Sequence, residues 1–182
     1  MPEILIRRQR SAAQGITLIE TLIVVCATAL LGLWSTAQLQ PLLQARALQA
    51  IANELAADLR WARQAARGMN QGVRLKVQSE PNGACYILHT GGRGDCECSA
   101  SGQAICQGES LALKSRRINT AGISLTASSS SMLWYPSYGT VSPTGTLRLQ
   151  LPDGRAVHHV VNIMGRARSC TPASQVAGYP SC

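Results

Sequence analysis

The sequence predicts an α+β protein, with one long N-terminal helix followed by an all-antiparallel β head. Three observations carry that expectation. The run Ile16–Leu39 holds a single charge, Glu20, and is long enough for the roughly 20 residues of a membrane-spanning helix. Beyond it, Leu48, Ile51, Leu55, Leu59, Ala62 and Ala66 recur at three- or four-residue steps, the spacing of one apolar helix face. After residue 70 the chain breaks into short apolar segments separated by Gly-, Pro- and Ser-rich turns.

The helix is expected over about Ile16–Arg67, as a membrane half (16–40) and an amphipathic half (41–68) packed on the head. Pro41 is expected to kink it, because proline lacks the amide its turn needs. Gly68 and the turn Asn70–Gly72 end it. Arg60, Arg63 and Arg67 mark a second helix face, read here as a solvated one.

Strands are expected at 73–77, 85–90, 111–115, 123–127, 132–135, 146–151 and 156–164, with Pro152-Asp153-Gly154 turning the last two into a hairpin. The head spans 69–169 and the tail 170–182. Within the head, 91–110 reads as an irregular insert stapled by cysteines. Its Arg93-Gly94-Asp95 is taken as coincidence, and no internal repeat is present.

The 182 residues carry 15 Arg and 2 Lys against 9 acidic residues, a net charge of +8. Such a balance speaks of solubility and non-specific attraction to anions, not of fold. Arginine is the residue whose forked donors grip carboxylate or phosphate. Phe is absent, so aliphatic side chains and Ala must fill the core.

Of the seven cysteines, Cys26 lies in the apolar run and six lie in the polar part: Cys85, Cys96, Cys98, Cys106, Cys170 and Cys182. An even set of this kind reads as a disulfide framework in an oxidising compartment. Zinc is the alternative for the first four, but the C-x₂-C pairs of zinc sites are missing. Cys96 and Cys98 are too close to pair with each other, and Cys170–Cys182 closes the tail on itself; the other pairings stay open.

No catalytic constellation is visible, and no cofactor or metal is expected. His158 and His159 are adjacent on a predicted strand and point to opposite faces. His89 stands alone, and no serine lies in a G-x-S-x-G elbow.

The N-terminus is more specific. Arg7, Arg8 and Arg10 precede the apolar run, which keeps that end cytoplasmic and sends the head to the oxidising side. A cleaved secretory signal is the ordinary alternative, but the stretch after the run offers only a weak cleavage site. A glycine, Gly15, instead stands before the run. Cleavage there would leave the Ile16 ammonium about one helical turn from Glu20, a carboxylate otherwise costly near a membrane interior.

Gly15 followed by Ile16-Thr17-Leu18-Ile19-Glu20 resembles the type IV prepilin signal, with Ile16 where the family more often has Phe. That resemblance implies cleavage and methylation at Gly15 and Ile16 by a prepilin peptidase. It implies that Glu20 guides the subunit into a filament of other pilin subunits, after residence in the inner membrane. The whole layout is similar to the GspH/FimT branch, pilin-like in fold, some of whose minor pilins bind DNA in natural transformation through a C-terminal Gly-Arg-x-Arg motif. Gly165-Arg166-Ala167-Arg168 matches it.

A strand running from Ala156 past Met164 would place Arg166 and Arg168 on one side, about 7 Å apart. From spacing alone they are ordinary surface charges. The resemblance turns them into phosphate contacts for double-stranded DNA, with Gly165 allowing another backbone or a nucleic acid close. Arg148, Arg155, Lys114, Arg116 and Arg117 are candidates to extend the patch. The alternative is a structural minor pilin or type II secretion pseudopilin that primes or caps a filament without touching DNA. Mass spectrometry of membrane-extracted protein is expected to find Ile16 as a methylated N-terminus; a mature chain beginning beyond residue 30 would point to an ordinary signal peptide.

Overall fold

The second half of the helix carries the core. In the computed structural model, which describes residues 17–80, 83–99, 101–120, 122–172 and 176–182 (side chains at 32–38 and 80 excepted), α1 covers Leu18–Gly68. Leu48, Ala52, Leu55, Leu59, Ala62 and Ala66 are fully buried, the stripe that the sequence spacing predicts. The helix assignment continues through Pro41. It ends at a turn in which Asn70 takes a left-handed conformation (φ 50°) and the Gln71 amide donates to the Ala66 carbonyl.

The chain divides into two compact units, 1–40 and 41–182. In the first, Thr17 caps α1: the Glu20 amide faces its Oγ1 at 3.4 Å, and Glu20 sits in the first turn, where the helix dipole favours an acid. Leu18, Ile19, Leu22, Ile23, Val24 and Val25 are all exposed. Residues 1–15, the prepilin leader that the resemblance implies, and Ile16 lie outside the described residues, so the approach of the Ile16 ammonium to Glu20 does too. Among the described residues no helix is long and apolar enough to cross a membrane. The expected span of 16–40 also takes in the side chains at 32–38, which lie outside the description.

Among its described residues the second unit holds eleven strands. A five-stranded sheet has the order β5-β2-β1-β7-β8, from β1 (Val73–Glu80), β2 (Gly83–His89), β5 (Ala112–Ile118), β7 (Ser131–Trp134) and β8 (Val141–Ser142). A four-stranded sheet has the order β11-β10-β9-β6, from β6 (Ser124–Ala127), β9 (Gly145–Gln150), β10 (Ala156–Val161) and β11 (Ala167–Cys170). All their strand pairs are antiparallel. Both sheets and the α1 stripe contribute to one core, with Trp134, Tyr86, Leu75, Met132, Leu125, Leu147 and Leu149 buried in it.

Two segments differ from the sequence expectation. The cysteine insert is not irregular throughout: β3 (Cys96–Cys98) and β4 (Ala104–Cys106) form a hairpin. Cys96–Cys106 ties its two strands and Cys85–Cys98 ties it to β2, so these four sulfurs are consumed and the zinc alternative falls. Asp95 of the Arg-Gly-Asp sequence accepts from the Gly92 amide and the Ser110 hydroxyl, a turn brace.

The other difference is at the end of the chain. The strand from Ala156 stops at Val161, reverses through 162–166 and returns as β11. Cys170–Cys182 closes the tail, whose Thr171 is buried and donates its hydroxyl to the Ala156 carbonyl. Replacing Cys170 and Cys182 by Ser is expected to lower unfolding free energy by about 3 kcal/mol, the chain-entropy value for a loop of this length. Urea denaturation of the oxidised parent and the variant checks it; equal midpoints would show the tail held by its other contacts alone.

Candidate functional site

The reversal between β10 and β11 is built by Asn162 and Gly165. The Gly165 amide donates to the Asn162 carbonyl (2.8 Å), the Arg166 amide to Asn162 Oδ1 (3.1 Å), and the Asn162 amide to the Arg166 carbonyl (3.1 Å). Gly165 has φ +69°, and a Cβ there would collide with the Gly139 carbonyl oxygen and stand 3.0 Å from the Trp134 ring. The Trp134 indole N–H donates to the Gly165 carbonyl (3.3 Å). The backbone that Gly165 lets approach is therefore this chain's own, at the 139 turn.

That turn links the hairpin to α1. Arg63 Nε donates to the Gly139 carbonyl (3.3 Å), and a Cβ on Gly139 would stand 3.0 Å from Arg63 Cγ and 3.1 Å from Arg67 Cδ. The result is a groove of about 330 Å³ between helix and hairpin, lined by Arg60, Arg63, Gln64, Gly165, Arg166 and Ala167. Of the three helix arginines expected on a solvated face, Arg60 and Arg67 are exposed, and Arg60 and Arg63 also line the groove beside Arg166.

Arg166 and Arg168 are both exposed, with the half-buried Ala167 between them packed on the core. The cause is a short returning edge strand, not the continuous strand that the spacing suggested. The two also open onto different depressions. Arg168 lines one of about 280 Å³ with Val160, Ser169, Cys170, Pro180, Ser181 and Cys182, against the disulfide-closed tail.

The other basic residues disperse. Arg148 shares the outer face with Arg168 but lies two strands over and two residues along, roughly 12 Å away. Arg155 pairs with Asp153 (2.6 Å) and donates to the Pro41 carbonyl, at the far end of β10 from Arg166. Lys114 and Arg116 lie on β5, at the edge of its sheet four strand spacings (roughly 19 Å) from β8. Lys114 pairs with Asp58 (2.6 Å) and stacks on Trp61 (4.8 Å to the ring centre), and Arg116 pairs with Glu54 (3.3 Å). Arg117, also on β5, packs its stem over Gly102. None of the described ion pairs involves Arg60, Arg63, Arg67, Arg166 or Arg168.

The helix itself sorts these charges. At 100° per residue, Arg60, Arg63 and Arg67 lie on one flank of the buried stripe, while Glu54 and Asp58 lie on the other. The acidic flank meets β5, where Asp58 also accepts from the buried Tyr86 hydroxyl (2.7 Å). Burial and that hydrogen bond push the Tyr86 phenol up. The basic flank meets the hairpin.

His159, buried on β10, places Nδ1 at 2.8 Å from the Ser169 hydroxyl and leaves Nε2 without a partner. Burial first, and the nearby Arg60 charge second, push it down to about 4. It is neutral at physiological pH and adds no charge to the groove. Among the described residues no His, Cys, Asp or Glu group could hold a metal ion.

Comparison with known proteins bears on these elements. The family model described as "Type II transport protein GspH" matches residues 52–165, from the second half of α1 to the glycine of the hairpin, stopping short of Arg166 and Arg168. Among solved structures, the chain is similar to the Pseudomonas aeruginosa type IV minor pilin FimU, at 18% identity and a TM-score of 0.47, over 71% of this chain and 96% of that one. No curated protein matches.

The packing at Gly165 generates its own prediction. Gly165→Ala is expected to destabilise the head by at least about 2 kcal/mol, combining a left-handed backbone with a collision against backbone. Chemical denaturation measures it. A neutral substitution would mean that the 139 and 165 turns are not locked together as described.

Proposed function

This chain belongs to the GspH family, and from that premise we propose that it is a minor pilin whose head binds double-stranded DNA without sequence preference, for DNA uptake in natural transformation. The carrying observation is the groove in which Arg166 stands beside Arg60 and Arg63, with no carboxylate paired to any of them in the described ion pairs. The exposed guanidiniums of Arg60 and Arg166 are available to phosphate oxygens, which such groups bind with two parallel hydrogen bonds, while Arg63 gives its Nε to the Gly139 carbonyl and adds its charge. Arg168, two residues further on and on the edge strand β11, takes the next contact. Contacts of this kind position a duplex but read no bases.

The N-terminal part of the proposal rests on the sequence. Gly15 and Ile16 are the cleavage and methylation site of a prepilin peptidase, and the segment from Ile16 to Gln40 is the inner-membrane anchor. After assembly this helix packs among other pilin subunits, with Glu20 as the assembly carboxylate. The exposed apolar side chains from Leu18 to Val25 support this reading, since a helix apolar all round requires lipid or protein around it. The head then lies on the periplasmic side and afterwards on the pilus.

A second reading has its own support. The packing of Gly165 on Gly139 and Trp134 accounts for that glycine with no DNA in the argument, as a structural pseudopilin of type II transport would require. Full-length protein in a nonionic detergent separates the two. Binding to a labelled duplex is expected in the non-specific range, roughly 10⁻⁴ to 10⁻⁶ M, weakening steeply with salt. Arg166→Gln with Arg168→Gln should lower the slope of log K against log salt by about 2 at an unchanged melting temperature. A folded double variant with the parental slope would remove these arginines from the site. A parent that does not bind at low salt would leave the structural reading.

A further inference from the structure

The DNA-binding reading uses the hairpin arginines, yet the groove has two walls. Arg60 and Arg63 line the helix wall, and Arg67 follows four residues on along the same flank of α1, beside the 139 turn and outside the groove lining. Arg60 and Arg67 are exposed; Arg63 is half-buried. Arg63 is committed to the Gly139 carbonyl, so its charge is held in place by the fold. Arg67 lays its stem near Gly139. The three cover about 10 Å of helix, the reach of about three phosphates along one strand at 3.4 Å each.

The helix thereby sets Arg60 and the held Arg63 across the groove from the arginine of the hairpin, while its carboxylates Glu54 and Asp58 are turned to the opposite flank and engaged by β5. A single wall of arginines on an edge strand would be a surface patch; two walls of one sign across a groove are a channel for a polyanion.

We infer that Arg60 and Arg67 of α1 are phosphate-binding residues, so that the nucleic-acid backbone lies in the groove between α1 and the β10–β11 hairpin at Arg60 and runs on past the 139 turn to Arg67. This rests on the DNA-binding reading and adds to it the path of the ligand. Arg63 belongs to the same row, but its bond to Gly139 makes it a poor probe, because its loss would also disturb the turn.

The test is again salt-dependent binding of full-length protein in nonionic detergent to a labelled 30-base-pair duplex. Arg60→Gln and Arg67→Gln are each expected to lower the salt slope by about 1 and the pair by about 2, with melting temperatures at the parental value. Arg60→Lys and Arg67→Lys, which keep the charge, are expected to keep the slope. Arg46→Gln is the control for net charge: it lies on the same helix about 21 Å below Arg60, outside the groove, and is expected to leave the slope unchanged.

An Arg46→Gln effect as large as that of Arg60→Gln would replace the groove by overall charge. If the Arg166/Arg168 variant loses slope while Arg60→Gln and Arg67→Gln do not, the helix wall falls and the hairpin site stands. If the parent does not bind duplex DNA, the reading beneath falls and this inference falls with it.

Discussion

The apolar stripe of α1 is the constraint on which the head depends. Leu48, Ala52, Leu55, Leu59, Ala62 and Ala66 are buried against side chains of both sheets. Burying a row of this kind stabilises the fold by about 25 cal/mol per Å² of apolar surface removed from water, and it leaves the helix one rotation about its axis. Every other residue of the helix then has an assigned direction. Asp58 and Glu54 are delivered to β5, and Arg60, Arg63 and Arg67 to the hairpin. The pairing of Lys114 and Arg116 with acids and the absence of described ion pairs at the groove are two results of one rotation.

A second lock sets the groove's other wall. Gly139 and Gly165 approach too closely for any side chain, with Trp134 bonded to one glycine and Arg63 to the other. Three distant parts of the chain, α1, the segment from β7 through the 139 turn, and the 165 turn, meet there. The glycine of the Gly-Arg-x-Arg motif is accounted for as the residue that lets the hairpin seat on the head. The arginines after it are aimed outward because Ala167 is aimed inward. Packing and surface chemistry are thus separable within four residues.

The disulfides act where the core is thinnest. The β3–β4 hairpin contributes little apolar surface, and Cys85–Cys98 with Cys96–Cys106 attach it to β2 and to itself. Cys170–Cys182 does the same for the tail, and so gives a firm wall to the depression that Arg168 lines. The covalent framework therefore holds one side of the candidate site, while apolar packing holds the other.

By itself the sequence determined what depends on neighbours close along the chain. The three- to four-residue spacing in α1, the turn at 68–72, the Pro152-Asp153-Gly154 hairpin, seven of the strands and the closure of Cys170 on Cys182 are all local patterns, legible from residue type and period. The Gly165–Arg168 motif was legible too, and the opposite flanks of acid and base on α1 could have been drawn from a 100° rotation alone. What the flanks would face was not. That β10 stops at Val161 follows from a turn closed locally by Asn162 and Gly165, but that Gly165 then seats against Gly139 spans a separation no local pattern encodes. That Arg60 and Arg63 join Arg166, while Arg155, Lys114 and Arg116 are taken by carboxylates, depends on strand order in two sheets. Charge acts through space over a few ångströms, so only the tertiary structure decided which arginines gather at the groove and which pair with carboxylates elsewhere.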